Sequence, residues 1–125
     1  MWSVQNDQPA YLLLACRSDW AVQNPDTVVR FLKSLSQAQN YLVNNQASAE
    51  AIIEKTLNQT ITQETWSENQ IGLSLDQSLI LAMQDETQWL MSNHLTNVTT
   101  TPNFLNYVYP NGLEAVKPES VNIIG

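Results

Sequence analysis

The chain predicts a mostly α fold, about five helices plus one or two short strands, in a single unit spanning residues 1–125 with no internal boundary. Three observations predict it. The length and an apolar fraction of 43% suit one hydrophobic core and exclude two full domains. Apolar residues recur at helical spacing through two long windows, residues 25–44 and 75–93. Only residues 11–16, and again 121–124, carry the short continuous apolar run of a strand.

Taken in order, residues 11–16 follow Pro9 and read as a buried strand, and residues 17–23 read as a short helix. Asn24-Pro25-Asp26 then opens a longer one, with an amide cap, proline in the first turn and an acid near the positive end of the helix dipole. Val28, Phe31, Leu32, Leu35, Ala38 and Leu42 form its apolar stripe. Ser48, Ala51, Ile52, Ile53 and Leu57 suggest a third helix ending near Asn58-Gln59, and a short fourth begins near Thr62 and carries Trp66. Ser74 and Gln77 have the spacing of a reciprocal capping box ahead of the fifth helix, residues 75–93. On that helix Leu75, Leu79, Ala82, Met83, Trp89 and Leu90 share one arc with Ile80 and Met91 at its edge, and Glu86 falls inside it. Residues 95–102 are a polar loop. Two helical turns follow at residues 104–108 and 112–116, separated by Pro110 and ended by Pro118.

Five Lys plus Arg against twelve Asp plus Glu give a net charge of -7, which provides no basic footprint for nucleic acid or an anionic membrane. Charged residues make up 14% of the chain, and thirteen Asn with twelve Gln supply much of the remaining polarity. Cys16 is the single cysteine, so neither an intrachain disulfide nor a cysteine-based zinc site is expected. The run before Cys16 is too short for a signal peptide and lacks basic residues ahead of it, so neither signal nor anchor is expected in this chain.

Few groups can converge for chemistry, and no cofactor, metal or catalytic residue is expected. His94 is the only histidine and sits at a predicted helix end, where capping is the simpler role. Glycines only at 72, 112 and 125 exclude a glycine-rich phosphate loop. Glu86 is either a buried acid of functional interest or the partner of Arg17 or Arg30 in a structural pair. Asn58-Gln59-Thr60 and Asn97-Val98-Thr99 match the glycan acceptor pattern, at a frequency an amide-rich chain reaches by chance. Trp20, Trp66 and Trp89 suit core packing at helical spacing. Trp2 lies instead with Gln5, Asn6 and Gln8 in a non-periodic leader, where an indole and several amides can face a polar ligand.

The ordered series Tyr11-Leu12-Leu13-Leu14, Arg17-Ser18-Asp19-Trp20, Asn24-Pro25-Asp26, Arg30-Phe31-Leu32-Lys33-Ser34-Leu35 and Gln37-Ala38-Gln39 resembles the sulfonate, nitrate and taurine family of solute-binding proteins. Leu73-Ser74-Leu75-Asp76-Gln77-Ser78-Leu79, Trp89, Pro102-Asn103-Phe104-Leu105-Asn106-Tyr107 and Gly112-Leu113-Glu114-Ala115-Val116-Lys117-Pro118 resemble the closing segments of the same family. No single motif carries the resemblance. Their order and spacing do, over nearly the whole chain.

The resemblance implies an α/β two-lobed fold of the periplasmic-binding-protein type, about twice this length or more, of which this chain is the C-terminal portion completing one lobe. It implies capture of a small anionic solute (nitrate, sulfonate, taurine or bicarbonate) and delivery to an ABC permease, with the parent in the periplasm or on the extracellular face. It places Trp2, Gln5 and Gln8 near the interlobe cleft, although Asn6-Asp7 departs from the small residue or glycine expected there. The alternative is an independent helical protein-interaction domain. For the chain alone, a homo-oligomer is expected, with residues 11–16 or the helix face bearing Leu79 and Met83 at the contact.

Overall fold

In the computed structural model, which describes residues 11–63, 66 and 72–124, helices dominate. They are α1 (Ser18–Gln23), α2 (Pro25–Asn44), α3 (Gln46–Leu57), α4 (Gln77–Ser92) and α5 (Asn111–Val116), with 3-10 turns at Phe104–Tyr107 and Pro118–Ser120. Two strands of two residues each, β1 (Leu75–Asp76) and β2 (Val121–Asn122), pair in parallel with Leu75 opposite Val121 and Asp76 opposite Asn122. The helix expected near Thr62 lies mostly outside the described residues. Of it, Gln63 and Trp66 are helical, and the Trp66 amide donates to the Thr62 carbonyl at 3.0 Å.

The span of α2 is the predicted one, with Pro25 in its first turn and Asp26 beside it. Asn24 does not cap its start. Its Nδ2 donates back to the Trp20 carbonyl at 2.9 Å, closing α1 instead. The same device recurs: Asn45 Nδ2 donates to the Tyr41 carbonyl at 3.3 Å at the end of α2, and Asn93 Nδ2 to the Trp89 carbonyl at 2.8 Å at the end of α4. Each of these carbonyls also accepts the backbone amide of the same asparagine, so the side chain adds a second donor to the last turn of the helix. At the end of α3, Asn58 takes the left-handed conformation, φ 52°, that glycine usually occupies. Part of the amide enrichment is therefore helix termination in a chain with three glycines.

Leu113 on α5, Leu79 and Ile80 on α4, Ala21 on α1 and Ala49 on α3 are the buried apolar residues among those described. The tightest approach is α5 on α2. A Cβ built on buried Gly112 would lie 2.8 Å from Val28 Cγ1 and 3.0 Å from Leu32 Cδ1, so glycine lets the two backbones come together there. Val28, Leu32, Leu35 and Leu42 of the predicted stripe are half-buried, whereas Phe31 and Ala38 face outward. Gln39 on the same helix reaches across the chain: its Oε1 accepts the Leu73 amide at 3.3 Å.

Four sequence expectations are corrected. Residues 11–16 form no strand among the described residues, and all six are exposed. The fifth predicted helix starts at Gln77 rather than Leu75, because Leu75 and Asp76 are drawn into the pairing with β2. The Ser74–Gln77 capping box does not form. Asp76 is the N-cap residue and makes no side-chain cap, while Gln77 Oε1 accepts the Ile124 amide at 3.0 Å and holds the chain beyond β2. Finally, Leu79, Ile80, Ala82, Met83, Leu90 and Met91 of the predicted arc and its edge are buried or half-buried on α4, but Glu86 and Trp89, placed inside that arc, are exposed.

Candidate functional site

Trp2, Gln5 and Gln8 lie outside the described residues. Among the described residues, those that follow them most closely in sequence are residues 11–23.

Tyr11 Oη donates to Ser78 Oγ at 2.8 Å, a bond across 67 residues that ties the start of this segment to the first turn of α4. Leu12, Leu13 and Leu14 then stand 97%, 54% and 61% exposed, so three consecutive leucines are uncovered.

The segment ends at a polar corner. Arg17 Nε donates to Asp19 Oδ1 at 3.0 Å and its Nη2 to Oδ2, a two-pronged ion pair between largely solvated groups. The Arg17 guanidinium beside Asp19 holds its carboxyl below the usual carboxylate range, and the Trp20 amide, donating to Oδ1 at 2.9 Å, acts in the same direction. Asp19 thus serves the start of α1. It opens a shallow depression of about 410 Å³ lined by Cys16, Arg17, Asp19, Trp20 and Gln23. The short helix from residue 17 was legible in the sequence; the Arg17–Asp19 pair was not expected, and the Tyr11–Ser78 bond carried no local signal.

A second depression of similar volume, lined by Ala51, Glu54, Lys55, Asn58, Gln59 and Thr60, sits at the end of α3. Glu54 is committed there to structure, since its Oε1 accepts the Ile61 amide at 2.8 Å. Asn58 and Asn97, the two glycan-pattern asparagines, are both exposed outside helices.

The residues weighed for chemistry are dispersed. His94 is exposed at φ 55°, its amide donating to the Met91 carbonyl at 3.1 Å while the Leu95 amide donates to the Leu90 carbonyl at 2.9 Å. These two bonds are the Schellman closure of α4, with histidine in the place usually held by glycine, so its expected role at the helix end is carried by the backbone. Glu86 is exposed, and the ion pair found among the described residues takes Arg17 to Asp19, not to Glu86. Trp20 and Trp89 are surface residues rather than core, and Trp66 is half-buried. Cys16 is a free, exposed thiol. No group of three potential metal ligands occurs among the described residues, and no helix there is long and apolar enough to cross a membrane.

No protein-family model, curated protein or solved structure matches the chain. What the described surface offers is apolar side chains and unpaired backbone amides and carbonyls, which is chemistry for packing and strand pairing.

Proposed function

We propose that this chain is the C-terminal segment of a solute-binding protein of an ABC importer, which captures a small anionic solute by closing two lobes. The single observation that carries the reading is the state of the strands. β1 and β2 pair in parallel, and the apolar run at residues 11–16 lies bare in solvent, tied by Tyr11 to the helix that follows β1. Parallel sheets are built with layers on both faces and crossover connections, so such elements suit a larger α/β lobe whose remaining strands come from elsewhere in the polypeptide. The ordered motif series points the same way.

In the parent, the solute is held where the cleft replaces the hydrogen bonds an anion loses with its water, and the transport step is closure followed by handover to a permease. Trp2, Gln5 and Gln8 are the residues assigned to that cleft on this chain. The proposed role involves no bond-making step, so no catalytic residue is assigned.

Calorimetry tests the proposal. The isolated chain gives no saturable heat with nitrate, taurine or bicarbonate, because one lobe segment supplies only part of a two-sided cleft. The parent encoded by the continuous reading frame binds one of them one-to-one, and Trp2→Ala or Gln5→Ala weakens that binding. Saturable micromolar binding by the chain alone, or a parent without a second lobe, overturns it. An independent helical interaction domain is distinguished by cooperative unfolding as a monomer.

A further inference from the structure

We propose that Asn111–Gly112 is a site of spontaneous deamidation, held unreactive while α5 is docked on α2 and converted to isoaspartate when that helix lifts away. The inference concerns the chain's own covalent chemistry and does not rest on the transport reading.

Of the thirteen asparagines, Asn111 is the one followed by glycine. Its side chain is exposed and makes no hydrogen bond among the described residues. Gly112 offers a backbone amide with no side chain beside it to block approach. The first amide of α5 to reach a backbone carbonyl is that of Glu114, which donates to Pro110 at 2.9 Å, so the Gly112 amide is not tied into the helix. Nucleophile and electrophile are therefore neighbours in the chain, and neither is held by a hydrogen bond.

Cyclisation joins the Gly112 nitrogen to Asn111 Cγ. The Cγ–Nδ2 bond breaks, and Nδ2 leaves as ammonia with the proton that the Gly112 amide gives up. Solvent water then opens the cyclic imide. Addition at Cγ restores the ordinary backbone and leaves aspartate. Addition at the backbone carbonyl carbon of residue 111 leaves the chain running through Cβ and Cγ as isoaspartate, one backbone atom longer.

The packing of α5 supplies a gate. Attack requires the Asn111 ψ to turn away from its helical value, about −42°, so that the Gly112 nitrogen faces Cγ. That turn swings the Gly112 peptide, and there is no room for it in place. Gly112 is buried with Val28 Cγ1 2.8 Å and Leu32 Cδ1 3.0 Å from where a Cβ would stand, and Leu113 beside it is 4% exposed. Six residues are too few for α5 to stay helical without its packing, so undocking and unwinding are one local event. The extra backbone atom of isoaspartate then lies next to the tightest approach of the two helices, and α5 no longer docks in register. The absent Cβ that lets the backbones meet is also what leaves this amide open to reaction.

Peptide mapping with isoaspartyl methyltransferase labelling tests this on the full 125-residue chain, incubated at mildly alkaline pH with and without denaturing urea. In urea Asn111 is expected to be the first asparagine converted, and in the native chain its conversion should be at least about tenfold slower, because it waits on local opening. Leu113→Ala loosens the docking without touching the reacting pair and should speed native conversion severalfold, up to the rate in urea where the variant is unfolded. Asn111→Gln should abolish labelling of this peptide. The isoaspartyl form should unfold at lower urea than the unmodified chain, whereas Asn111→Asp, with the same charge on an ordinary backbone, should not. Another asparagine converting first in urea, equal rates with and without urea, native conversion unmoved by Leu113→Ala, or an isoaspartyl form as stable as the unmodified chain overturns the inference.

Discussion

Two apolar regions of similar sequence character meet different fates in this chain. The turn of α5 around Gly112 and Leu113 is clamped against Val28 and Leu32 of α2, whereas the leucines at 12, 13 and 14 stand in solvent. A helix satisfies its backbone internally, so α2 and α5 need only find each other's side chains. An extended segment satisfies nothing by itself, and its burial waits on a neighbouring strand and on layers above and below. Apolarity predicts what must be covered. Backbone hydrogen bonding decides whether the same chain can cover it.

The strongest way to break this comparison is to truncate one leucine on each side of it. Leu113 is 4% exposed, and Leu113→Ala is expected to cost about 3 kcal/mol. Leu12→Ala should change the protomer's stability by about 0.5 kcal/mol or less. Urea titrations at a concentration where the wild-type chain is monomeric check both, and equal costs would show that the leucine run is packed after all.

A smaller effect sharpens the packed side. Gly112→Ala gains roughly 0.5–1 kcal/mol of helix propensity, but the new methyl meets Val28, a β-branched side chain with little rotameric freedom in a helix. Overpacking of about 1–3 kcal/mol should outweigh that gain and leave the variant about 1 kcal/mol less stable. A variant more stable than wild type would mean that the α2–α5 approach is looser than the geometry here.

The helix ends give the next effect. Asn45→Asp removes the amide donor to the Tyr41 carbonyl and sets a carboxylate at the negative end of the α2 dipole. The expected loss is about 0.5–1 kcal/mol at pH 7. It should shrink as the pH falls through the new carboxyl's pKa, because protonation removes the repulsion. A pH-independent loss would assign the effect to the missing donor alone.

The smallest effect is electrostatic. Asp19 has its pKa lowered by Arg17, so any stability from the pair is present above the unfolded-state pKa and lost as pH falls through the lower folded-state value. Both groups are well solvated, and Asp19→Asn at pH 7 should leave the melting temperature within error. The direct check is a carboxyl carbon NMR titration, in which Asp19 titrates below the ordinary aspartate range and moves up toward it in Arg17→Gln.

How far the candidate site was legible follows the same division. The leucine run is plain in the sequence as something that demands cover, and so is the short helix that follows it. The Tyr11–Ser78 bond was not, because it joins residues 67 apart through two hydroxyls that can accept many partners. Glu86 looked unusual because a helical wheel ranks residues by mutual spacing alone. The direction from which neighbours approach α4 is absent from that calculation, and it put Glu86 in solvent.

The sequence by itself determined where the helices run. Periodicity and proline placed α2 at Pro25–Asn44, and the ends of α3 and α4 fell at Asn58 and Asn93 as their local chemistry required. These are near-neighbour effects, complete within one or two turns of chain. Only the tertiary structure decided that Asn24 closes α1 rather than opening α2, and that Gln77 holds Ile124 rather than capping α4. It likewise decided that Leu75 and Asp76 pair with β2 while residues 11–16 pair with nothing among the described residues. An amide side chain has several acceptable partners, and a strand is defined only by another strand. Their outcomes therefore depend on which distant segment arrives, which no local pattern of residues encodes.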